Sequence, residues 1–283
     1  MIYFPILGAL ALATGTILEK IVLKGKKVGI RIYLSASFMM LVLAMLPFIY
    51  FFWKLESQAL KPINLFIFGL VVVFSIIANL FSFYSLKWEK INNIEPARVL
   101  EPLFVILLAI LFSFFFQNLY DRNFNIIIPA LIAGIALLLS HLKKHHLKFN
   151  KYFIAAVLGS LFFALELVIT RLILDYYSPI TFYFLRCAAI FLISLAIFKP
   201  NFKDLDKKTS LQILAIGFIY FFYRVIVYYG YLNFGVVFTT LMIMLGPIFV
   251  YIFAWKFLKE KLNWKNIIAS LVIIACIIYA IVF

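Results

Sequence analysis

Apolar residues come in long unbroken runs along this chain, and polar residues gather in the short stretches between them. Ten runs stand out: 2–19, 32–53, 63–86, 96–116, 124–141, 152–174, 179–198, 210–232, 235–257 and 264–282. Each is close to the ~20 apolar residues that cross a bilayer as a helix. Barrel strands would instead alternate apolar and polar residues over short segments. Helices also satisfy their own backbone hydrogen bonds in lipid. The pattern predicts an all-α membrane protein with ten transmembrane helices. The longest connections, at 20–31, 141–151 and 199–209, leave almost nothing for a soluble domain. Small residues four apart, such as Ala11/Gly15, Ala130/Gly134 and Ala155/Gly159, suit close helix packing.

The two halves of the chain repeat each other. Leu100-Glu101-Pro102-Leu103-Phe104-Val105 matches Leu245-Gly246-Pro247-Ile248-Phe249-Val250 at an offset of 145. The same offset brings Tyr84 onto Tyr229 and Asn79 onto Arg224, and an offset of 151 brings Gly8 and Lys20 onto Gly159 and Arg171. The expected division is a first five-helix repeat at 1–141, a basic linker at 142–150, and a second five-helix repeat at 151–283.

Charge gives an independent indication. Of 26 Lys and Arg, 19 fall in the loops after helices 1, 3, 5, 7 and 9, and 4 in the loops after helices 2, 4, 6 and 8. Such a bias sets orientation, with the basic side cytoplasmic. It places both termini outside. With an odd number of helices in each half, matching elements face opposite sides, and the loop charges follow that rule. This is the pattern of an inverted repeat, the architecture of many secondary transporters with a midplane site.

Composition narrows the function. The chain is 66% hydrophobic and 13% charged, with a mean hydropathy of +1.12. That excludes a soluble enzyme, a disordered chain and an ordinary nucleic-acid binder. The net charge of +15 is nearly all loop lysine, so no nucleic-acid partner is expected. Cys187 and Cys276 stand alone in apolar runs, without disulfide or metal spacing. His141, His145 and His146 have no carboxylate or cysteine beside them and read as a solvated linker. No HExxH, phosphate-binding glycine loop or nucleophilic triad is present. No metal, cofactor or enzymatic role is expected, and residues 1–18 lack the basic start of a cleavable signal.

With these features in hand, the chain resembles the EamA branch of the drug/metabolite transporter superfamily. The resemblance rests on ten short-looped helices in two repeats and on residues 247–262, from Pro247 through Glu260 to Leu262. That segment is similar to the family's helix-opening proline, apolar run, Gly-Glu and leucine, with Lys259 in place of the glycine. The first repeat keeps Pro102 but has Phe115-Phe116-Gln117 where the acid is expected, and Thr14-Gly15 replaces a frequent Trp-Gly pair. The resemblance implies alternating-access transport of a small metabolite, often export. Many family members have cytoplasmic termini, opposite to the orientation the loop charges give here.

Ionisable residues inside a bilayer cost ~2.5–3.5 kcal/mol each on insertion scales and mark functional sites by default. The deep candidates are Arg98, Arg186 and Arg224 with Glu101 and Glu166. At ~1.5 Å rise per residue, Glu166, Arg186 and Arg224 reach one level, about 10 Å from the less basic face. Arg98 and Glu101 lie nearer the basic face, near the level of Asn79. Three arginines against two acids favour a substrate carrying a carboxylate or phosphate, because guanidinium binds such groups in a bidentate manner. Glu166 and Glu101 are the carboxylates available to carry a coupling proton. The competing reading is structural, with Glu166 paired to Arg186 and Arg98 paired to Glu101 at i,i+3.

Tyr220 and Tyr228 stand one turn either side of Arg224, where they could form an aromatic wall around a substrate. Pro102 and Pro247 each free a carbonyl one turn back and are candidate hinges. The expected function is a secondary transporter, acting on a small molecule within the lipid bilayer as a monomer or homodimer. The alternatives are broad multidrug efflux, favoured by aromatic residues and acids, and a membrane scaffold or lipid-modifying enzyme, which would need its groups clustered at one interface.

Overall fold

The computed structural model describes residues 4–24, 29–89, 91–120, 122–141, 150–249, 252 and 264–282. Among them the chain is helical, with no strand beyond one isolated bridge between Leu55 and Tyr177. In chain order the α-helices are α1 (Phe4–Lys24), α2 (Ile30–Phe52), α3 (Pro62–Trp88), α4 (Ile91–Arg98), α5 (Leu100–Ser113), α6 (Phe124–His141), α7 (Lys151–Arg171), α8 (Pro179–Phe198), α9 (Lys207–Asn233), α10 (Val236–Ile243) and α11 (Trp264–Val282). Among the described residues, eight helical segments are long and apolar enough to cross a membrane, and two shorter apolar helices cover Phe124–Ser140 and Val236–Phe249. The protein is therefore a multi-pass integral membrane protein. The expected linker at 142–150 lies outside the described residues except for Asn150, and so do residues 250–251 and 253–263 of the expected ninth span.

The surface and the interior are inverted relative to a soluble domain. Leu, Ile and Phe side chains face outward along α2, α3, α6 and α11, among them Leu43, Phe66, Ile132 and Leu271. Buried within the bundle are Ser35, Ser75, Glu19, Glu166, Arg186 and Arg224. Lipid rewards the apolar exterior, while the polar groups can only be satisfied by one another inside. Aromatic residues Tyr50, Phe51 and Trp53 cluster, exposed, at the end of α2, where amphipathic rings anchor at the interface.

Local sequence explains where the helices start. Asn150 accepts from Tyr152 and Phe153 amides (3.1 and 2.8 Å), Ser178 from Thr181 (3.1 Å), and Asp206 from Thr209 (3.0 Å). These side chains occupy donors that α7, α8 and α9 leave open at their N-termini. Pro62 and Pro179 sit in the first turns of α3 and α8, where their missing N–H costs nothing.

Two prolines set the interior breaks. Pro102 lies in the first turn of α5, and α4 ends at Arg98, four residues earlier. Pro247 follows α10 in the same way, since α10 ends at Ile243. Each proline ring collides with the carbonyl four residues back and cannot donate to it, so the helix stops there. The runs expected as single helices at 96–116 and 235–257 are thus interrupted near residues 99 and 244. The first begins earlier, at Ile91.

Packing brings α3 against α7, α1 and α2 against α9, α2 against α8, α5 against α7 and α10, and α6 against α11. The small residues mark the close approaches. A Cβ on Gly159 would lie 3.3 Å from the Ser82 amide of α3, and one on Gly217 would lie 3.4 Å from the Leu41 amide of α2. A Cβ on Gly15 would lie 3.1 Å from the Tyr220 ring, and one on Gly134 would collide with the Leu103 side chain. At the turn into α10, Gly235 holds φ 81°, which side chains on L residues rarely adopt.

Candidate functional site

Three deep residues expected at one level meet in one cluster. Glu166 of α7 is fully buried, Arg186 of α8 is 2% exposed and Arg224 of α9 is 7% exposed. Arg186 Nη1 pairs with Glu166 Oε1, and Arg224 Nη1 lies 3.5 Å from Glu166 Oε2. Tyr228 Oη accepts from Arg186 Nη1 at 2.7 Å and donates to Glu166 Oε1 at 3.1 Å. Thr170, one turn after Glu166, adds a hydroxyl at 3.5 Å. One carboxylate therefore serves two guanidiniums. The structural pairing of Glu166 with Arg186 is present, and it leaves Arg224 the less satisfied partner: its Nη1 is buried without a hydrogen-bond acceptor in good geometry.

The rings packed on these cations differ from those expected. Arg224 sits over Phe163 (5.6 Å) and Tyr223 (5.5 Å), and Arg186 over Tyr183 (4.9 Å). Arg224 turns toward Glu166 on α7, and Phe163, three residues earlier on that helix, comes beneath it. Tyr220 and Tyr228 are drawn elsewhere, Tyr228 to the Glu166–Arg186 pair and Tyr220 to a second carboxylate.

That second carboxylate is Glu19 of α1, 6% exposed, which sequence reasoning passed over. Its Oε1 accepts from Tyr33 of α2 (3.3 Å) and its Oε2 from Tyr220 of α9 (3.1 Å). It stands at the end of the expected first run, beside Lys20, and so reads as a loop residue. The helix continues to Lys24, which keeps Glu19 inside. Lys20, on the other side of the helix, donates to the Leu86 and Glu89 carbonyls at the end of α3. The helical face of Glu19, four residues after Gly15, was the available signal.

A central cavity of about 90 Å3 joins the two carboxylate clusters. At ~10–15 Å3 per water-sized sphere it holds several waters or the body of a small ligand. Its charged lining is Glu19, Arg98, Glu101, Arg186 and Arg224, with Asn79 and Ser37 as neutral polar groups. Every helix from α1 to α5 contributes to the lining, as do α7, α8 and α9. Arg98 ends α4 and reaches Thr16 of α1 at 3.4 Å. Glu101 lies in the first turn of α5, where the helix dipole favours an acid. Asn79 bonds back to the Ser75 carbonyl at 2.7 Å. Of the sequence candidates, Arg98, Glu101, Asn79, Arg186, Arg224 and Tyr220 line the cavity, and Glu166 and Tyr228 stand behind them, on Arg186. Pro102 and Pro247 shape the breaks rather than the cavity wall. His145 and His146 lie outside the described residues, and no group of three or more metal-binding side chains occurs among the described ones.

On one side of the bundle the backbone closes the gap between the α2–α3 and α7–α8 connections. The Glu56 amide donates to the Tyr176 carbonyl (2.9 Å), and the Ser178 amide donates to that of Lys54 (3.2 Å). Ser178 and Thr181 hydroxyls bind the Phe52 carbonyl at the end of α2. Burial raises the Tyr177 phenol above its ordinary range in this closure.

No curated protein matches the chain. A solved structure, described only as the crystal structure of a protein, is similar over 97% of this chain and 97% of its own, with a TM-score of 0.65 and 15% identity. That likeness concerns the fold. Residues 150–282, which carry α7 through α11 and with them Glu166, Arg186 and Arg224, match the EamA-like transporter family, in keeping with the drug/metabolite transporter superfamily.

Proposed function

We propose that this chain is a secondary transporter that moves a small organic metabolite bearing a carboxylate or phosphate through the central cavity, in the direction of export. The observation that carries the reading is the pairing of two buried guanidiniums, Arg186 and Arg224, with the single carboxylate of Glu166 beside that cavity. Counted over these three side chains, with Glu166 ionised, one positive charge is in excess, and Glu101 is the further cavity carboxylate whose charge acts on Arg224. An anionic group entering the cavity neutralises that excess and supplies the acceptor that Arg224 Nη1 lacks. The low-dielectric surroundings strengthen the attraction.

Alternating access follows from two inverted five-helix repeats rocking about the site. Three features support the repeats. The helix breaks recur at residues 99 and 244, at the same offset of 145 as the proline blocks. Packing is exchanged between halves, with α3 on α7 answered by α1 on α9. Helices that match across the repeats also pack on each other: α2 on α8 and α6 on α11. The charge bias of the loops orients the bundle with its termini outside.

The test is ligand-induced stabilisation of the detergent-purified protein by carboxylates, phosphorylated metabolites and lipophilic cations. A ligand that binds only the folded state must raise the melting temperature. The expected result is stabilisation by one anionic class, lost in Arg224→Ala while that variant stays folded. Stabilisation by lipophilic cations alone would instead establish multidrug efflux.

A further inference from the structure

The cavity lies toward the basic face, and the bundle is sealed on its other side. On α2, which runs to the less basic face, the lining ends at Leu41, eleven residues and ~16 Å before Phe52. On α3, which returns from that face, it begins at Asn79, seventeen residues and ~25 Å after Pro62. Stacked rings stand between the cavity and the less basic face. Tyr177 meets Phe182 at 5.2 Å, Phe68 touches both, and Phe182 meets Tyr228 at 5.3 Å. Beyond the rings, the α2–α3 and α7–α8 connections are joined backbone to backbone.

The start of α8 carries both the seal and the site. The Ser178 hydroxyl accepts from the Thr181 amide, which caps the helix, and donates to the Phe52 carbonyl at the end of α2. The Thr181 hydroxyl accepts from the Lys54 amide at 3.0 Å. The next residue, Phe182, packs on Tyr228, and one turn later Arg186 pairs with Glu166 and donates to the Tyr228 hydroxyl. Eight residues of one helix, ~12 Å, thus connect the latch to the buried pair. At offsets of 146 and 149, close to those of the repeat, Phe52 and Ser178 fall on Phe198 and Gly29 at the basic face. Gly29 gives α2 no side-chain cap, so the Ser178 hydroxyl has no counterpart there.

From these contacts, and resting on the transporter reading, we infer that the joint between the α2–α3 and α7–α8 connections is a gate, latched by Ser178 on the Phe52 carbonyl and coupled through the first two turns of α8 to the Arg186–Glu166 pair. While Arg186 holds Glu166 and Tyr228, Phe182 is clamped between Tyr177 and Tyr228 and the latch stays aligned. A ligand that draws Arg186 off Glu166 shifts the segment and parts the joint. The joint is made of hydrogen bonds that are individually weak in net terms, so it can break and re-form in each cycle.

The experiment reads access to the cavity from each face. Leu12→Cys places a reporter in the lining, and a membrane-impermeant maleimide is added to one face of sealed vesicles holding the full chain. The chain without the reporter gives the background of the buried Cys187 and Cys276. Labelling from the less basic face is expected to be at least tenfold slower than from the basic face. Ser178→Asp still caps α8 but has no proton to donate to Phe52, and raises the slow rate at least threefold. Tyr228→Phe, which loosens Arg186 and keeps the ring, raises it as well. Leu55 and Tyr177 face each other in an antiparallel bridge, whose Cα spacing suits a disulfide. In the Leu55→Cys/Tyr177→Cys pair, oxidation abolishes labelling from the less basic face, leaves the basic-face rate unchanged, and is undone by reduction. If the pair fails to cross-link, or labelling from the less basic face persists after cross-linking, the gate is overturned while two-sided access, and the transporter reading with it, stands. A slow rate that Tyr228→Phe leaves unchanged overturns the coupling through α8. If no variant is labelled from the less basic face, the joint is a fixed wall, and the gate and the transporter reading both fall.

Discussion

The two ends of the cavity hold comparable groups under different constraints. Glu166 is locked by two guanidiniums and the Tyr228 hydroxyl, and is fully buried. Glu19 is held by two neutral hydroxyls, from Tyr33 and Tyr220. The first arrangement ties α7, α8 and α9 together through charge. The second joins α1, α2 and α9 through hydrogen bonds and leaves the carboxylate's charge uncompensated by direct contact. Removing a carboxylate of the first kind strips the countercharge from two buried guanidiniums, whereas removing one of the second kind alters two hydrogen bonds from neutral hydroxyls.

Substitutions at the two ends should therefore separate stability from binding. Glu166→Gln leaves two buried guanidiniums without their countercharge. Breaking a buried pair in this way costs ~3–5 kcal/mol, so denaturant unfolding of this variant should show a loss of that size or a failure to fold. Tyr228→Phe removes the hydroxyl shared by Arg186 and Glu166, and hydrogen bonds to charged groups contribute ~1.5–3 kcal/mol. The same measurement should place it between Glu166→Gln and the wild type. Glu19→Gln keeps a carbonyl for one tyrosine and gives the other an amide to face, so its unfolding free energy should change by about 1 kcal/mol or less. Equal losses for Glu166→Gln and Glu19→Gln would erase the distinction between the ends.

Much of this was readable from the sequence, and the reasons are specific. The helices follow from apolar runs long enough to span lipid, and the cluster at Glu166 follows from charges placed mid-run with no neighbour to neutralise them. Helix rise alone brings Glu166, Arg186 and Arg224 to one level, and the structure joins them. The breaks near residues 99 and 244 were implicit in Pro102 and Pro247, but the apolar runs continue across them and hide the interruption. Glu19 was hidden for the opposite reason. It ends an apolar run beside a lysine, and composition there resembles a loop although the helix continues for five residues. The ring partners of Arg224 were not legible, because Phe163 is supplied by α7 and its position depends on tertiary packing.

The most direct test of the central claim is counterflow in proteoliposomes, using the carboxylate or phosphate compound that stabilises the purified protein best. Vesicles loaded with the unlabelled compound should accumulate the labelled one, and Arg224→Ala, folded by its melting curve, should reduce that accumulation at least tenfold. Accumulation by Arg224→Ala at the wild-type rate would contradict the account and assign the buried arginines to structure alone.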